Sequence, residues 1–221
     1  MTSIQKIKKI FARRAWSLLR FSGMGPLLLR IHPKSALRKW GWFTSFRKKR
    51  SIDKSANPTP WWTYSAISFL KERLLPETKV LEFGSGGSTL WLCQFAAKVL
   101  SAEDDPEWAE YVKSNMPANG EIVICDSYEA FITDHYFAEQ YDLIIIDAGH
   151  RLNIGRKIFS LLSDRGVVLW DNTDGPDWIE IKSLFFSHGF SEISFSGMTA
   201  QEVALSRTTI FYRKGSNCLD I

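Results

Sequence analysis

The chain has 221 residues, of which 45% are hydrophobic and 24% charged, which suits one domain with an appendage and excludes wholesale disorder, collagen and coiled coil. Its three cysteines, Cys93, Cys125 and Cys218, form no CxxC pair, so neither a disulfide framework nor a cysteine zinc site is supported, and a reducing, cytoplasmic setting fits. The net charge of +4 hides an asymmetry: residues 1–60 carry 15 Lys and Arg against one acid, Asp53, whereas residues 61–221 carry 13 against 23 acids.

A basic arm on an acidic body implies that the arm meets something anionic while the body does chemistry. Ile4, Ile7, Ile10, Phe11, Leu18 and Leu19 recur at three- and four-residue intervals among Lys6, Lys8, Lys9, Arg13 and Arg14, predicting a basic amphipathic helix. Such a helix either lies on the body or makes a peripheral contact with an anionic membrane surface, and the arm also has the composition of an organellar transit peptide. The uncharged run 21–29 contains two glycines and a proline and falls short of the ~18 apolar residues a membrane span needs. RKKRSIDKSANPTP (47–60) is polar, with two prolines, and reads as a linker. The expected division is therefore an arm and linker over 1–60 and a catalytic domain over 61–221.

From Trp61 the rhythm is regular. A helix over 61–75 precedes strand KVLEF (79–83), helix 89–97, strand KVLSAE (98–103), helix PEWAEYVKSNM (106–116), strand EIVICD (121–126) and a helix through Ala138. Strand YDLIIIDA (141–148), helix NIGRKIFSLLS (153–163), strand GVVLWDN (166–172) and a helix over 176–188 follow. Apolar runs such as Leu143 to Ile146 mark strands buried on both faces, and strand–helix alternation demands a parallel, doubly wound α/β sheet. Two consecutive strands, 191–197 and 204–213, then predict an antiparallel pair at one side of the sheet.

In such sheets ligands bind beyond the carboxyl ends of the strands. The first strand ends in Glu82-Phe-Gly84-Ser85-Gly86-Gly87-Ser88, a turn whose missing Cβ atoms let backbone amides approach a ligand. Thr89 stands where a dinucleotide GxGxxG requires glycine. Glu103 ends the next strand 19 residues beyond Gly84, close to the ~20-residue spacing of a ribose-hydroxyl acceptor. Its alternative is membership of an acidic helix-start cluster with Asp104 and Asp105. Asp126 and Ser127 close the third strand as adenine-side contacts or as helix caps. Asp147-Ala-Gly-His150-Arg151 and Asp171-Asn172 close the fourth and fifth strands. His150 has the native pKa range of a general base, or is a plain loop histidine. Asp147, Asp171 and Asn172 are hard oxygen donors, able to hold Mg²⁺ or to orient a substrate hydroxyl without metal. Trp61, Trp62 and Tyr64 either cover the site or pack.

The run from about Trp42 to Lys214 resembles the class I S-adenosylmethionine-dependent methyltransferases, most specifically at VLEFGSGGSTLWL, VLSAEDDPEWAEYV, YDLIIIDAGHR and GVVLWDNTD. It looks closest to a bacterial branch that has PWWTY before the first strand and ends in a segment like GFSEISFSGM followed by TTIFYRK. The resemblance implies a Rossmann-like, seven-stranded sheet with its last strand antiparallel. It also implies that Glu82, Gly84 and Gly86 hold the methionine end of the cofactor, and Glu103 its ribose. The Asp147, Asp171, Asn172 trio is similar to the metal ligands of catechol-type O-methyltransferases, although the surrounding residues do not match that family.

The expected reaction is methylation of a hydroxyl on a small molecule, glycan or lipid-linked acceptor, positioned by Asp147 and Asp171 and deprotonated by His150 or Asp147. Nucleic acid is disfavoured as acceptor, because methylation of exocyclic amines usually calls for a Pro-Pro-aromatic turn where this chain has DAGH. A nicotinamide oxidoreductase and a non-catalytic nucleoside-binding module are the competing classes.

Overall fold

The computed structural model describes residues 25–134, 137 and 139–221, together with positions 18, 22 and 23. The predicted amphipathic helix near the start lies outside the described residues except for Leu18.

The helices α1 (Gly25–Ile31), α2 (Ala36–Lys39) and α3 (Trp42–Lys48), all short, precede α4 (Tyr64–Lys71) among the described residues. Then come β1 (Lys79–Phe83), α5 (Gly87–Leu92), β2 (Lys98–Glu103), α6 (Pro106–Lys113), β3 (Gly120–Ile124) and α7 (Tyr128–Asp134). The chain continues through β4 (Tyr141–Ile146), α8 (Arg151–Lys157), a 3₁₀ turn (Ile158–Leu161), β5 (Leu162–Trp170), α9 (Trp178–Ser187), β6 (Ser191–Gly197) and β7 (Ser206–Tyr212).

The seven strands form one sheet in the order β3-β2-β1-β4-β5-β7-β6. The first five are parallel, and β7 runs antiparallel to both β5 and β6. The predicted architecture is therefore present, with β7 inserted between β5 and β6. Several boundaries differ. The helix expected over 61–75 is Tyr64–Lys71, and α5 starts two residues before Thr89 and stops at Leu92. The helix expected over 153–163 gives way to the 3₁₀ turn, and β5 begins at Leu162.

Alternate strand residues feed two cores. Leu81, Leu100, Ile144 and Val168 face Phe131, Ile154 and Phe185 on one side. Val80, Val99, Ile145 and Leu169 face Ile67, Leu70, Trp91 and Leu92 on the other. Ile144 and Ile145 are both fully buried, each contributing roughly 1.5–3 kcal/mol by area. Covering both faces leaves the carboxyl edge of the sheet as the open rim, and strand order reverses there between β1 and β4, the crevice where such sheets bind ligands.

The stretch expected to be a linker is part of this rim. Ile52 and Thr59 are buried, Ile52 bridges Pro58, and the Ser45 hydroxyl donates to the Ile52 carbonyl at 2.7 Å. A polar, proline-containing sequence lacks helical or strand periodicity whether it floats or folds, so composition did not separate the two. Among the described residues, no helix is long and apolar enough to cross a membrane.

Candidate functional site

The turn after β1 is built for close approach. Gly84 has φ +90°, and a Cβ there would meet the Asp147 carbonyl at 2.5 Å, so only glycine fits between the β1 and β4 ends. At Gly87 a Cβ would meet the Thr59 carbonyl at 2.5 Å, which seats the 49–60 strap against the start of α5.

Glu82 lies under this turn and is fully buried. Its Oε2 accepts from the Thr89 hydroxyl at 2.5 Å and the Ser101 hydroxyl at 2.8 Å, while Oε1 is buried without a partner. Burial pushes its pKa up to about 7, against the opposing pull of the Ser88, Thr89 and Ser101 hydroxyls. Thr89 also accepts from the Gly86 N–H at 2.9 Å, pinning the turn. The residue that breaks the dinucleotide pattern is thus a working part of this turn, a role invisible in a motif that asks only for glycine.

Glu103 is buried and held by the same turn. Its Oε2 accepts from the Ser85 N–H at 2.8 Å and the Ser85 hydroxyl at 2.7 Å, and its Oε1 from the Asp104 and Asp105 N–H groups at 3.1 Å each. Burial is the main reason its pKa is raised above the ordinary carboxylate value. Glu103 therefore reaches the cleft through Ser85, which itself lines it. Asp105 caps α6 by accepting from the Glu107 and Trp108 N–H groups. Trp108 leans over Gly86 and donates its indole N–H to the Ser85 carbonyl at 2.7 Å. Asp126 is exposed, and the Ser127 hydroxyl caps α7 by accepting from the Ala130 N–H at 3.1 Å. Neither borders the cleft.

The cleft, of about 500 Å³, is bordered by Ser85, Gly86, Ser88, Asp147, Asp171 and Asn172 from the sheet rim, and by strap residues including Ser51 and Thr59. That volume is typical of a small-molecule site. Asp147 is fixed from two sides, accepting from the Trp62 indole N–H at 3.0 Å and from Arg151 Nη2 at 3.2 Å. Arg151 Nη2 also donates to Asn172 Oδ1 at 2.8 Å. Asp171 is buried beneath, with Oδ1 accepting from the Thr208 hydroxyl at 2.6 Å, and Thr208 in turn accepts from the Thr63 N–H at 3.1 Å. Burial first, and the negative charge of Asp147 second, raise the Asp171 pKa well above the ordinary value. His150 does not border this cleft. It is exposed in the left-handed region at φ +52° and borders a separate cavity with Trp178.

Trp62 is fully buried, Trp61 is exposed at the cleft, and Tyr64 stacks on Trp40 at 4.7 Å. Packing thus accounts for Tyr64, whereas Trp62 both packs and holds the Asp147 carboxylate. Sequence reasoning missed Thr89, Ser101 and Thr208 as supporting residues; threonine and serine inside strands and helices carry no signal until a buried carboxylate is found beside them. The Asp147, Asp171, Asn172 trio does not fit a metal centre. Arg151 already places a cation between Asp147 and Asn172, and no group of three or more metal-ligating His, Cys, Asp or Glu exists among the described residues.

A doubly wound sheet with a glycine turn after β1 and a buried acid ending β2 defines the Rossmann-like class that binds nucleoside cofactors. Residues 81–173 match the family model described as a methyltransferase domain. Among solved structures the fold resembles an rRNA methylase from Streptococcus thermophilus (17% identity, TM-score 0.54), covering 68% of this chain and 95% of that one. It also resembles a methyltransferase from Pyrococcus furiosus (19%, TM-score 0.52), covering 78% and 93%. A precorrin-6y C5,15-methyltransferase from Geobacter metallireducens (12%, TM-score 0.53) is covered to 87%, over 67% of this chain. No curated protein matches the sequence significantly. Residues 81–173 are thus similar to methyltransferase domains, whose methyl donor in this fold class is S-adenosylmethionine.

The site suits that cofactor on its own chemistry. The cofactor is cationic at sulfur and amino group, and the cleft offers the carboxylates of Asp147 and Asp171. Glu82 has an unpartnered buried oxygen beneath the glycine turn, and Gly86 meets nothing but the Trp108 ring within 4 Å of a built Cβ.

Proposed function

We propose that the enzyme methylates a hydroxyl of a small-molecule, glycan or lipid-linked acceptor, with Asp147 and Asp171 as its catalytic carboxylates. The observation that carries this reading is that both end adjacent parallel strands and border the cleft that the glycine turn also borders.

In this reading Gly84, Ser85, Gly86 and Ser88 line the path of the cofactor's amino-acid end above Glu82, and Glu103 holds the ribose in exchange for Ser85. When bound, the cofactor supplies an electrophilic methyl group on a sulfonium. Asp147, immobilised by Trp62 and Arg151, orients the acceptor hydroxyl, and immobilisation converts binding into proximity. Asp171, with its raised pKa, is a stronger base than an ordinary carboxylate and takes the hydroxyl proton. Arg151 offsets the negative charge of the pair. His150 has no part in proton transfer, being exposed in the neighbouring cavity.

The test is release of S-adenosylhomocysteine across a panel of hydroxyl and amine acceptors, with wild type and Asp171→Asn. Hydroxyl acceptors should turn over and Asp171→Asn should lower kcat at least ~100-fold. Turnover confined to amines, or unaffected by the substitution, sinks the reading.

A further inference from the structure

We infer that the methyl acceptor carries an oxyanion, phosphate or carboxylate, which docks on a wall of donors formed by Lys49, Arg50 and Gln201 at the lip of the cleft. This rests on the proposal that methyl transfer to the acceptor takes place above Asp147 and Asp171.

The wall lies outside the 81–173 methyltransferase match. It comes from two segments joined by the Trp42 indole N–H, which donates to the Glu202 carbonyl at 2.8 Å. Arg50 is preset: its Nη1 donates to the Tyr111 hydroxyl at 2.6 Å and its guanidinium lies 4.7 Å from the centre of that ring. A guanidinium has five N–H donors, so the others stay available for bidentate recognition of an oxyanion. No ion pair among the described residues engages Lys49 or Arg50. Gln201 borders the same cleft with Nε2 buried and without a partner. A buried donor left unmade is costly, and a turn of the side chain that brings it to a ligand oxygen in the cleft removes that cost.

Glu202 also borders the cleft and is exposed, leaving two cations against one anion in the wall. Asp147 and Asp171 form the opposite pole. This polarity orients the acceptor with its hydroxyl toward the carboxylates and its anionic group toward the lip, since the reverse pose sets the anionic group against the carboxylates.

Isothermal titration of full-length protein with pyrophosphate and with citrate tests the wall, alongside S-adenosylhomocysteine in the same preparations. At least one anion should bind wild type, with affinity at least tenfold lower in Lys49→Glu. It should be at least threefold lower in Gln201→Asn, where asparagine tolerates the φ of +73°. Neither anion binding, or equal affinity in both variants, overturns the wall. Failure of wild type to bind S-adenosylhomocysteine overturns the underlying reading instead. Sedimentation with phosphatidylglycerol and phosphatidylcholine vesicles separates the sources. Phosphatidylglycerol-dependent sedimentation weakened by Lys49→Glu assigns the wall to a lipid headgroup. Loss of anion affinity without that effect assigns it to a soluble acceptor.

Discussion

Replacing Glu82 by glutamine should change how stability depends on pH, by an amount the buried carboxyl sets. The group titrates at an ordinary 4.5 when unfolded and at about 7 when folded. Below pH 4.5 both states hold the proton; between 4.5 and about 7 the unfolded chain releases it while the folded chain keeps it; above about 7 both have lost it. The unfolded state binds fewer protons in that window, so wild-type stability falls as pH rises through it. A shift from 4.5 to about 7, at ~1.4 kcal/mol per unit, amounts to about 3 kcal/mol. The Glu82→Gln side chain cannot ionise and lacks this slope. Its amide oxygen can accept from Thr89 and Ser101, and the amide N–H₂ placed where Oε1 has no partner adds a constant cost of roughly 1–3 kcal/mol. Asp171 and Glu103, also raised, are present in both proteins and cancel to first order. Urea unfolding followed by tryptophan fluorescence from pH 4.5 to 8 measures both curves. Wild type should lose about 3 kcal/mol relative to Glu82→Gln across the window. Parallel curves would show that the carboxyl ionises normally in the fold and refute burial as the governing effect.

Gly84→Ala forces a Cβ against the Asp147 carbonyl at a φ of +90°; destabilisation by about 2 kcal/mol or more is expected from denaturation midpoints. Glu103→Ala frees Ser85 and removes the proposed ribose acceptor, so S-adenosylhomocysteine affinity should fall about 10- to 100-fold by titration calorimetry, the value of one or two hydrogen bonds to a charged group. NAD should bind neither protein measurably. His150→Ala should leave kcat within about threefold and Asp147→Asn should lower it at least ~100-fold. A drop with His150→Ala matching that with Asp147→Asn would put the imidazole back in the proton path. Thr208→Val removes the hydroxyl that donates to Asp171. With that stabilisation of the ionised form lost, the acid limb of the kcat–pH profile should move to higher pH, and an unmoved limb would show that Asp171 is not the titrating base.

Much of the sheet was legible because its cause is local. Two-sided burial writes apolar runs such as Leu143 to Ile146 into the chain, helices between them carry a longer period, and parallel strands put every strand end on one rim. The polar residues at those ends, Glu103, Asp147 and Asp171, were therefore identifiable as site candidates from position alone. What the sequence left open has a different origin. The placement of β7 between β5 and β6, the folding of 49–60 onto the glycine turn and the exposure of His150 in the cavity beside Trp178 are decided by which surfaces pack together. So are the partners of the buried acids: the Trp62 indole N–H reaches Asp147 across 85 residues, and the Thr63 N–H reaches Thr208 across 145. A hydrogen bond between distant residues leaves no spacing to read, and whether a carboxylate is buried, paired or solvated follows from the tertiary surroundings that tune its proton affinity.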